Sequence, residues 1–334
     1  MEEVHYFHGY GTSIEAPFEL TSLDIAPPTR DPGIRILIAS TEDSSQHFNF
    51  VHTLSHKTAG RVDHAKHAPE HDDLEPDQVG YRIDYWGGLS FTLDASGRHI
   101  WVDSPKSMAC RDVEAYLTGP VLAYALRLQG HLCLHASVID MQGGAIALAG
   151  TSGSGKSTTA AALVARGHRL VSDDVLALQF SASSALALPG KSELRLCEDA
   201  LLALGLDTGP NHQHGDKHSL RIAAHRDTHP PPTLKAIYLG ATTQQGVEIS
   251  ALGATAAMTH LLGNTYPGYY YRLQAQHRAR ELELVRALMD AVPVRLVAWQ
   301  RSFSQLDTLC ENLESDFAKL SAVSSDHASS IHQC

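Results

Sequence analysis

The chain has 334 residues, 43% of them hydrophobic and 19% charged, with a formal net charge of -11 at pH 7. That length and balance allow a sizeable core and exclude a disordered or fibrous chain. The acidic excess argues against a nucleic-acid partner, because no basic field gathers phosphates.

No apolar run approaches the roughly 18 residues of a membrane helix. The start, Met1-Glu2-Glu3-Val4-His5-Tyr6, has no basic segment followed by an apolar stretch, so a cytoplasmic protein without a membrane partner is expected. Cys110, Cys133, Cys197, Cys310 and Cys334 are odd in number and form no CxxC pair, which suits reduced structural thiols.

In chain order, Tyr6 to Glu15, Gly33 to Ala39 and Tyr81 to Val102 contain short β-prone runs separated by turn residues, with Asp94-Ala95-Ser96-Gly97 reading as a hairpin turn. Residues 1–129 therefore read as a β-rich module. Within it, residues 41–80 are polar and hold His52, His56, His64, His67 and His71. Spacings of three and four could share a helix face, but Gly60 interrupts the stretch and Pro69 ends it. A long His-biased loop without a metal is the expectation. From 111 to 129, Val113, Tyr116, Leu117, Val121, Tyr124, Ala125 and Leu128 fall near helical spacing, with a kink at Gly119-Pro120.

Leu132 to Ile139 and Ala145 to Ala149 read as two apolar strands joined by Met141-Gln142-Gly143-Gly144. Lys156 to Arg166 suits a helix closed by Gly167, and Arg169-Leu170-Val171 begins the next strand. Strand, glycine loop, helix and strand are the parts of an α/β nucleotide-binding unit. Further on, Glu281 to Ala291 reads as a helix, Val294 to Trp299 as a strand, Gln305 to Leu320 as an amphipathic closing helix, and 321–334 as a flexible tail.

Gly150-Thr151-Ser152-Gly153-Ser154-Gly155-Lys156-Ser157 fits G-x-x-x-x-G-K-[ST], with Thr158 following. The glycines let backbone N–H groups face phosphate oxygens at a helix N-terminus. Lys156 would reach the β- and γ-phosphates of ATP, and the Ser157 hydroxyl would ligate Mg²⁺. After the next strand, Asp173-Asp174 puts two carboxylates where open α/β sheets place their chemistry. One would hold Mg²⁺ or its water, and the other could take a proton from an attacking hydroxyl. An Asp-Asp pair alone also caps turns; the phosphate loop is what favours chemistry here.

The segment Leu134 to Leu178 resembles the catalytic domain of the HPr kinase/phosphorylase family and its HPr-kinase-like relatives. Leu134-His135-Ala136-Ser137-Val138, the phosphate loop, and Gly167-His168-Arg169-Leu170-Val171-Ser172-Asp173-Asp174 are similar to family elements in the same order, and Ser192-Glu193-Leu194-Arg195-Leu196 is similar to its E-x-R segment. The resemblance implies an α/β P-loop kinase domain of HPr kinase/PEP-carboxykinase-like type over 130–320, behind the β-rich module. It implies Asp173 as proton acceptor, Asp174 as an assisting acid near Mg²⁺, Glu193 as a Mg²⁺ ligand, Arg195 near the reacting phosphates and His135 as a catalytic-site histidine. Without it, His135 reads as a core histidine on a buried strand. Lys217 and Arg272 are the remaining basic candidates, each otherwise an ordinary surface residue.

Tyr10-Gly11-Thr12-Ser13-Ile14 and Phe18-Glu19-Leu20 are similar to the opening of HPr-kinase-like proteins in biosynthetic settings, including lasso-peptide precursor kinases. That implies a Ser hydroxyl on a peptide or small protein as acceptor. Thr158 stands where the bifunctional enzyme usually has Glu, and a PVxxGRN loop is missing, which implies no phosphorylase activity. A nucleotide-dependent binding module and a small-molecule hydroxyl kinase use the same residues and remain open, and a homo-oligomer is compatible with the sequence without being required by it.

Overall fold

The computed structural model describes residues 4–39, 49–58, 61–62, 66–67, 79–181, 184–207, 213–214, 217–222, 230–267 and 275–331. The chain divides into two compact units, Met1–His131 with Tyr269–Arg278, and Leu132–Gly268 with Ala279–Cys334.

The first unit is built on β1 (His5–Gly9), β2 (Thr12–Ala16), β3 (Asp24–Ile25), β4 (Ile34–Ile38), β5 (Asn49–Thr58), β6 (Arg61–Val62), β7 (Lys66–His67), β8 (Val79–Asp84), β9 (Ser90–Asp94) and β10 (His99–Asp103). They form one sheet in the order β3-β1-β2-β4-β10-β9-β8-β5-β6, with β7 paired to β5. The stretch 41–80 is thus not loop throughout. Its polar residues 49–58 form a strand because β8 offers a parallel ladder, and pairing overrides weak local preference. His52, His56 and His67 lie on β5 and β7, while His64 and His71 fall outside the described residues.

The kinked helix is α1 (Cys110–Tyr116), a π-helical turn (Leu117–Val121) and α2 (Leu122–Leu128). The turn contains Pro120, which has no N–H to donate and whose ring crowds the preceding turn. Glu114, buried on α1, accepts hydrogen bonds from Ser22 N at 2.7 Å and Thr21 Oγ1 at 3.0 Å, so the strand layer and helix are tied by a satisfied buried acid.

The second unit contains β11 (Leu132–Leu134), β12 (Ala136–Asp140), β13 (Ala145–Ala149), β14 (Arg169–Ser172), β15 (Leu176–Phe180), β16 (Ala185–Leu188), β17 (Glu193–Leu196), β18 (Gln213–His214), β19 (Lys217–Arg221), β20 (Leu234–Thr242), β21 (Glu248–Ala251) and β22 (Val294–Trp299). Its helices are α3 (Lys156–Ala165), α4 (Glu198–Leu204), α5 (Ala254–Gly263), α6 (Ala275–Ala291), which belongs to this unit from Ala279 onward, and α7 (Leu306–Ile331). The central sheet runs β14-β12-β13-β20-β22-β21, flanked by the small sheets β11-β15-β16 and β17-β19-β18.

Alternation along the central strands sorts the core into two layers. Ala145, Ala147 and Ala149 of β13 join a cluster with Leu261 of α5 and Leu284, Val285 and Leu288 of α6. Ile146 and Leu148 face the other cluster, with Ala160 to Leu163 of α3 and Leu306, Leu309 and Leu313 of α7. Helices therefore cover both faces, which explains why β13 reads as a continuous apolar run. Arg166 donates from Nε and Nη2 to Glu314 at 2.9 and 2.8 Å, clamping the end of α3 to α7.

Two sequence expectations are corrected. Leu132 to Ile139 is two strands in different sheets, because the chain leaves the ladder at His135, whose N–H donates to Asn264 O at 2.8 Å. The tail 321–334 is helical as far as Ile331; no Gly or Pro occurs between Leu306 and Ile331, so α7 propagates through Ser and Ala without apolar periodicity. Among the described residues no helix is long and apolar enough to cross a membrane.

Gly97 closes the β9–β10 hairpin at φ 68°, its N–H donating to Asp94 O at 3.1 Å. A Cβ there would sit 2.3 Å from the Ala125 carbonyl oxygen. Backbone cannot yield as a flexible side chain would, so Gly97→Ala is expected to destabilise the protein by roughly 2 kcal/mol or more; an unchanged urea midpoint would contradict this packing.

Candidate phosphate-binding and catalytic site

The loop between β13 and α3 turns on Gly155, at φ 89°, where a Cβ would approach the Trp299 ring at 3.3 Å. Glycine is needed both for the backbone and for the close approach. The Lys156 ammonium donates back to Gly150 O at 2.9 Å and Thr151 O at 3.1 Å. Burial pulls it down to about 8, partly offset by the charges of Asp173 and Asp174. The Ser154 hydroxyl is buried and has no hydrogen-bond partner among the described residues.

Two chain crossings between sheets meet at one corner. β11 passes to β12 at His135, and β14 passes to β15 through Asp173-Asp174. His135 Nδ1 lies 3.1 Å from Asp174 O. A carbonyl only accepts, so Nδ1 carries the proton and Nε2 keeps its lone pair. Burial, and then the Lys156 charge, lower the His135 pKa and favour this neutral form. Tyr266 stacks on the ring at a centroid distance of 4.7 Å.

Asp174 adopts φ 67°, which Asp tolerates better than most residues. Asp173, 1% exposed, accepts from Ser137 Oγ at 2.5 Å and from Ser157 Oγ at 3.3 and 3.2 Å. Burial, and then the Asp174 charge, push its carboxyl up to about 6. For Asp174 burial acts upward, but the surrounding cations, Lys191 first and then Arg195 and Lys217, outweigh it and leave the carboxyl below its usual range. The phosphate-loop hydroxyl therefore meets the first acid of the pair.

A cavity of about 340 Å³, within the size range of small-molecule sites, is lined by the loop from Ser152 to Thr158, His135, Asp174, Arg195, Lys217, Trp299, Arg301 and Phe303. Four cations, Lys156, Arg195, Lys217 and Arg301, line it against the carboxylates of Asp174 and Asp199, a local positive excess in an acidic chain. Glu193 is not among the lining residues. Its Oε1 accepts from Ser219 Oγ at 2.8 Å and lies 3.7 Å from Lys191 Nζ. Arg272 lies outside the described residues.

Lys191, Ser137, Tyr266, Arg301 and Phe303 escape a reading of the sequence. Lys191 is 1% exposed and its ammonium donates no hydrogen bond among the described residues, while its backbone oxygen accepts from Asp173 N at 3.1 Å. The nearby Glu193 in Gly190-Lys191-Ser192-Glu193 was its sole local signal. Among the described residues no three His, Cys, Asp or Glu gather as a metal cluster. The donor set fits Mg²⁺ in another way. One hydroxyl and one carboxylate side by side are the protein share of a site completed by phosphate oxygens and waters. The unpartnered Ser154 hydroxyl and the cationic wall fit a polyphosphate.

Residues 127–198 match the family described as HPr Serine kinase C-terminal domain. HPr kinase/phosphorylase of Clostridium botulinum (strain Eklund 17B / Type B) is 30% identical over 126 residues, covering 38% of this chain and 36% of that protein. HPr kinase/phosphorylase of Lactobacillus delbrueckii subsp. bulgaricus is 41% identical over 87 residues, covering 26% of this chain and 25% of that protein. The chain thus spans about a third of the length of these relatives, or less. The HPr(Ser) kinase/phosphatase structure from Coxiella burnetii aligns at a TM-score of 0.29 and 13% identity, over 60% of this chain and 99% of that one.

A carboxyl raised from 3.8 to about 6 binds its proton more tightly in the folded state. The stability it contributes is complete below about pH 3.8 and is lost as pH rises through about 6. Asp173→Asn keeps the shape and cannot ionise. It is expected to raise the stability of the fold at pH 8 and to change it little at pH 4. A pH-independent difference in Tm would show that Asp173 has an ordinary carboxyl.

Proposed function

We propose that this chain, HPr-kinase-like across residues 127–198, is an ATP- and Mg²⁺-dependent kinase acting on a Ser hydroxyl of a peptide or small protein. The observation that carries the reading is the contact of Ser157 Oγ with both oxygens of Asp173, which couples a phosphate loop to an acid pair whose first member is buried. A simple anion-binding loop has no use for that acid. The acceptor proposed is a ribosomal peptide precursor of lasso type, supported by the resemblance of the opening segments around Tyr10 and Phe18. A cytoplasmic setting suits such an acceptor.

Bound Mg²⁺ would supply positive charge to the phosphoryl oxygens as the bond to the leaving ADP breaks. Ser157 and an acid of the pair would hold it. The loop N–H groups and Lys156 orient the triphosphate, and Arg195 and Lys217 face charge that develops away from the loop. Asp173 accepts the proton of the attacking hydroxyl, with a pKa near working pH that favours this role. Asp174 stays ionised beside it and keeps the pair from holding a second proton. His135 fixes the Asp174 backbone through Nδ1–H and offers Nε2 as an acceptor.

A second division of roles has its own support, since Asp174 lines the cavity while Asp173 lies behind Ser157. It makes Asp174 the proton acceptor and Asp173 the metal-side acid. Substitution separates the two. With Asp173 as base, Asp173→Asn lowers transfer by roughly 10² or more with ATP affinity kept within a few-fold, and abolishes an acid limb near pH 6. Asp174→Asn then alters Mg²⁺ dependence instead. The reverse pattern assigns the base to Asp174.

Lys156→Ala is expected to abolish most transfer without unfolding the protein, because the loop cation is lost from the β- and γ-phosphates. The direct measurement is incubation with Mg·ATP and the precursor peptide, followed by mass analysis for one added phosphate. ATP binding without any phosphorylated product from peptides or small hydroxyl compounds would favour a nucleotide-dependent binding module.

The enzyme is also proposed to run forward only. Thr158 and the apolar continuation of Pro293-Val294-Arg295 into Leu296-Val297-Ala298 provide no basic loop for an incoming phosphate anion. Purified phosphopeptide should persist with enzyme, Mg²⁺ and inorganic phosphate when ADP is withheld. Steady pyrophosphate release would refute this.

A further inference from the structure

We propose that the turn after β22 is a nucleobase shelf, on which Phe303 stacks the purine ring of the nucleoside triphosphate. The inference deepens the kinase reading and rests on it. Its geometry begins with strand direction. β12 is antiparallel to both β13 and β14, while β13, β20 and β22 are mutually parallel. The carboxyl ends of β14, β13, β20 and β22 therefore lie along one edge of the sheet. β14 delivers Asp173-Asp174 two strand positions to one side of the phosphate loop, and β22 delivers Trp299 two positions to the other. At ~4.8 Å per strand, each lies roughly 10 Å from the loop's own strand.

Ser157 touches Asp173, so the reacting end of a polyphosphate held in the loop faces β14. The nucleoside must then leave towards β22. There Arg301 Nη1 donates to Gly153 O at 3.2 Å, joining the turn to the phosphate loop. Trp299 fills the space beside Gly155. Phe303 is 44% exposed, and among the described residues it is the exposed large hydrophobic side chain that lines this cavity.

A flat apolar ring on the wall of a cationic cavity serves a ligand with both a π-face and an anionic tail. Hydroxyls that could read a base edge are engaged locally, since Ser302 Oγ lies 2.7 Å from Ser304 Oγ and accepts from Ser304 N at 3.3 Å. The shelf therefore reads stacking area, and adenine and guanine are accepted alike.

The test is calorimetric titration of the full chain with Mg·ATP, Mg·GTP and Mg·tripolyphosphate, which has no base. ATP and GTP should bind within about threefold of each other. Phe303→Ala should weaken both about tenfold and leave tripolyphosphate unchanged, the scale of one base–aromatic stack. Phe303→Tyr should behave like wild type. If Phe303→Ala leaves ATP binding intact, or weakens all three ligands equally, the shelf is wrong and the phosphate-loop reading stands. If wild type binds none of the three, the nucleotide reading fails and the shelf fails with it.

Discussion

Two adjacent carboxylates have to be held largely out of water in one corner of the second unit, and most of the local architecture answers to that constraint. Asp173 is almost fully buried, and two hydroxyls, the Lys191 carbonyl and the Val175 N–H serve its polar groups. Desolvation alone would push both acids up. The charges of Lys191, Arg195 and Lys217 keep Asp174 low, so the pair divides into an acid near 6 and one held ionised. Groups with such separated environments are those that chemistry can use. Lys191, itself buried against Glu193, is the counter-charge without which this corner would hold too much negative potential.

The fold places that corner beside the phosphate loop through two strand exchanges. Where β11 hands over to β12 and β14 hands over to β15, the backbone leaves its ladder and frees the side chains of His135, Asp173 and Asp174. Regular strands would have pointed them alternately into the two core layers. Because the exchanges are bridged by the His135 Nδ1–H and the Asp174 carbonyl, the imidazole and the acid pair are positioned together. Helices α3 and α7, clamped through Arg166 and Glu314, hold the phosphate loop from the other face. The same sheet edge carries the acids at β14 and the aromatic turn after β22.

Local chemistry was enough to read the glycine-rich turn after β13, the helix after it, the Gly119-Pro120 kink and the hairpin at Gly97, since each depends on glycine or proline geometry or on spacing within about a dozen residues. It also brought Asp173-Asp174 to a strand end, and so the resemblance to HPr-kinase-like proteins could be drawn from residues alone. The strand break at His135, the polar strand β5 and the length of α7 were not legible. Ladder partners far away in the chain decide the first two, and the third follows from the absence of a helix breaker in a segment without apolar periodicity. Nor could spacing disclose Lys191, Ser137, Tyr266 or Phe303, which reach the site from separate segments. The sequence by itself determined the glycine-rich turn before α3 and the adjacency of the two acids, because those are properties of a few consecutive residues. Only the tertiary structure decided which hydroxyl meets which acid, which cation balances them and which side the base would occupy, because desolvation and charge act through space.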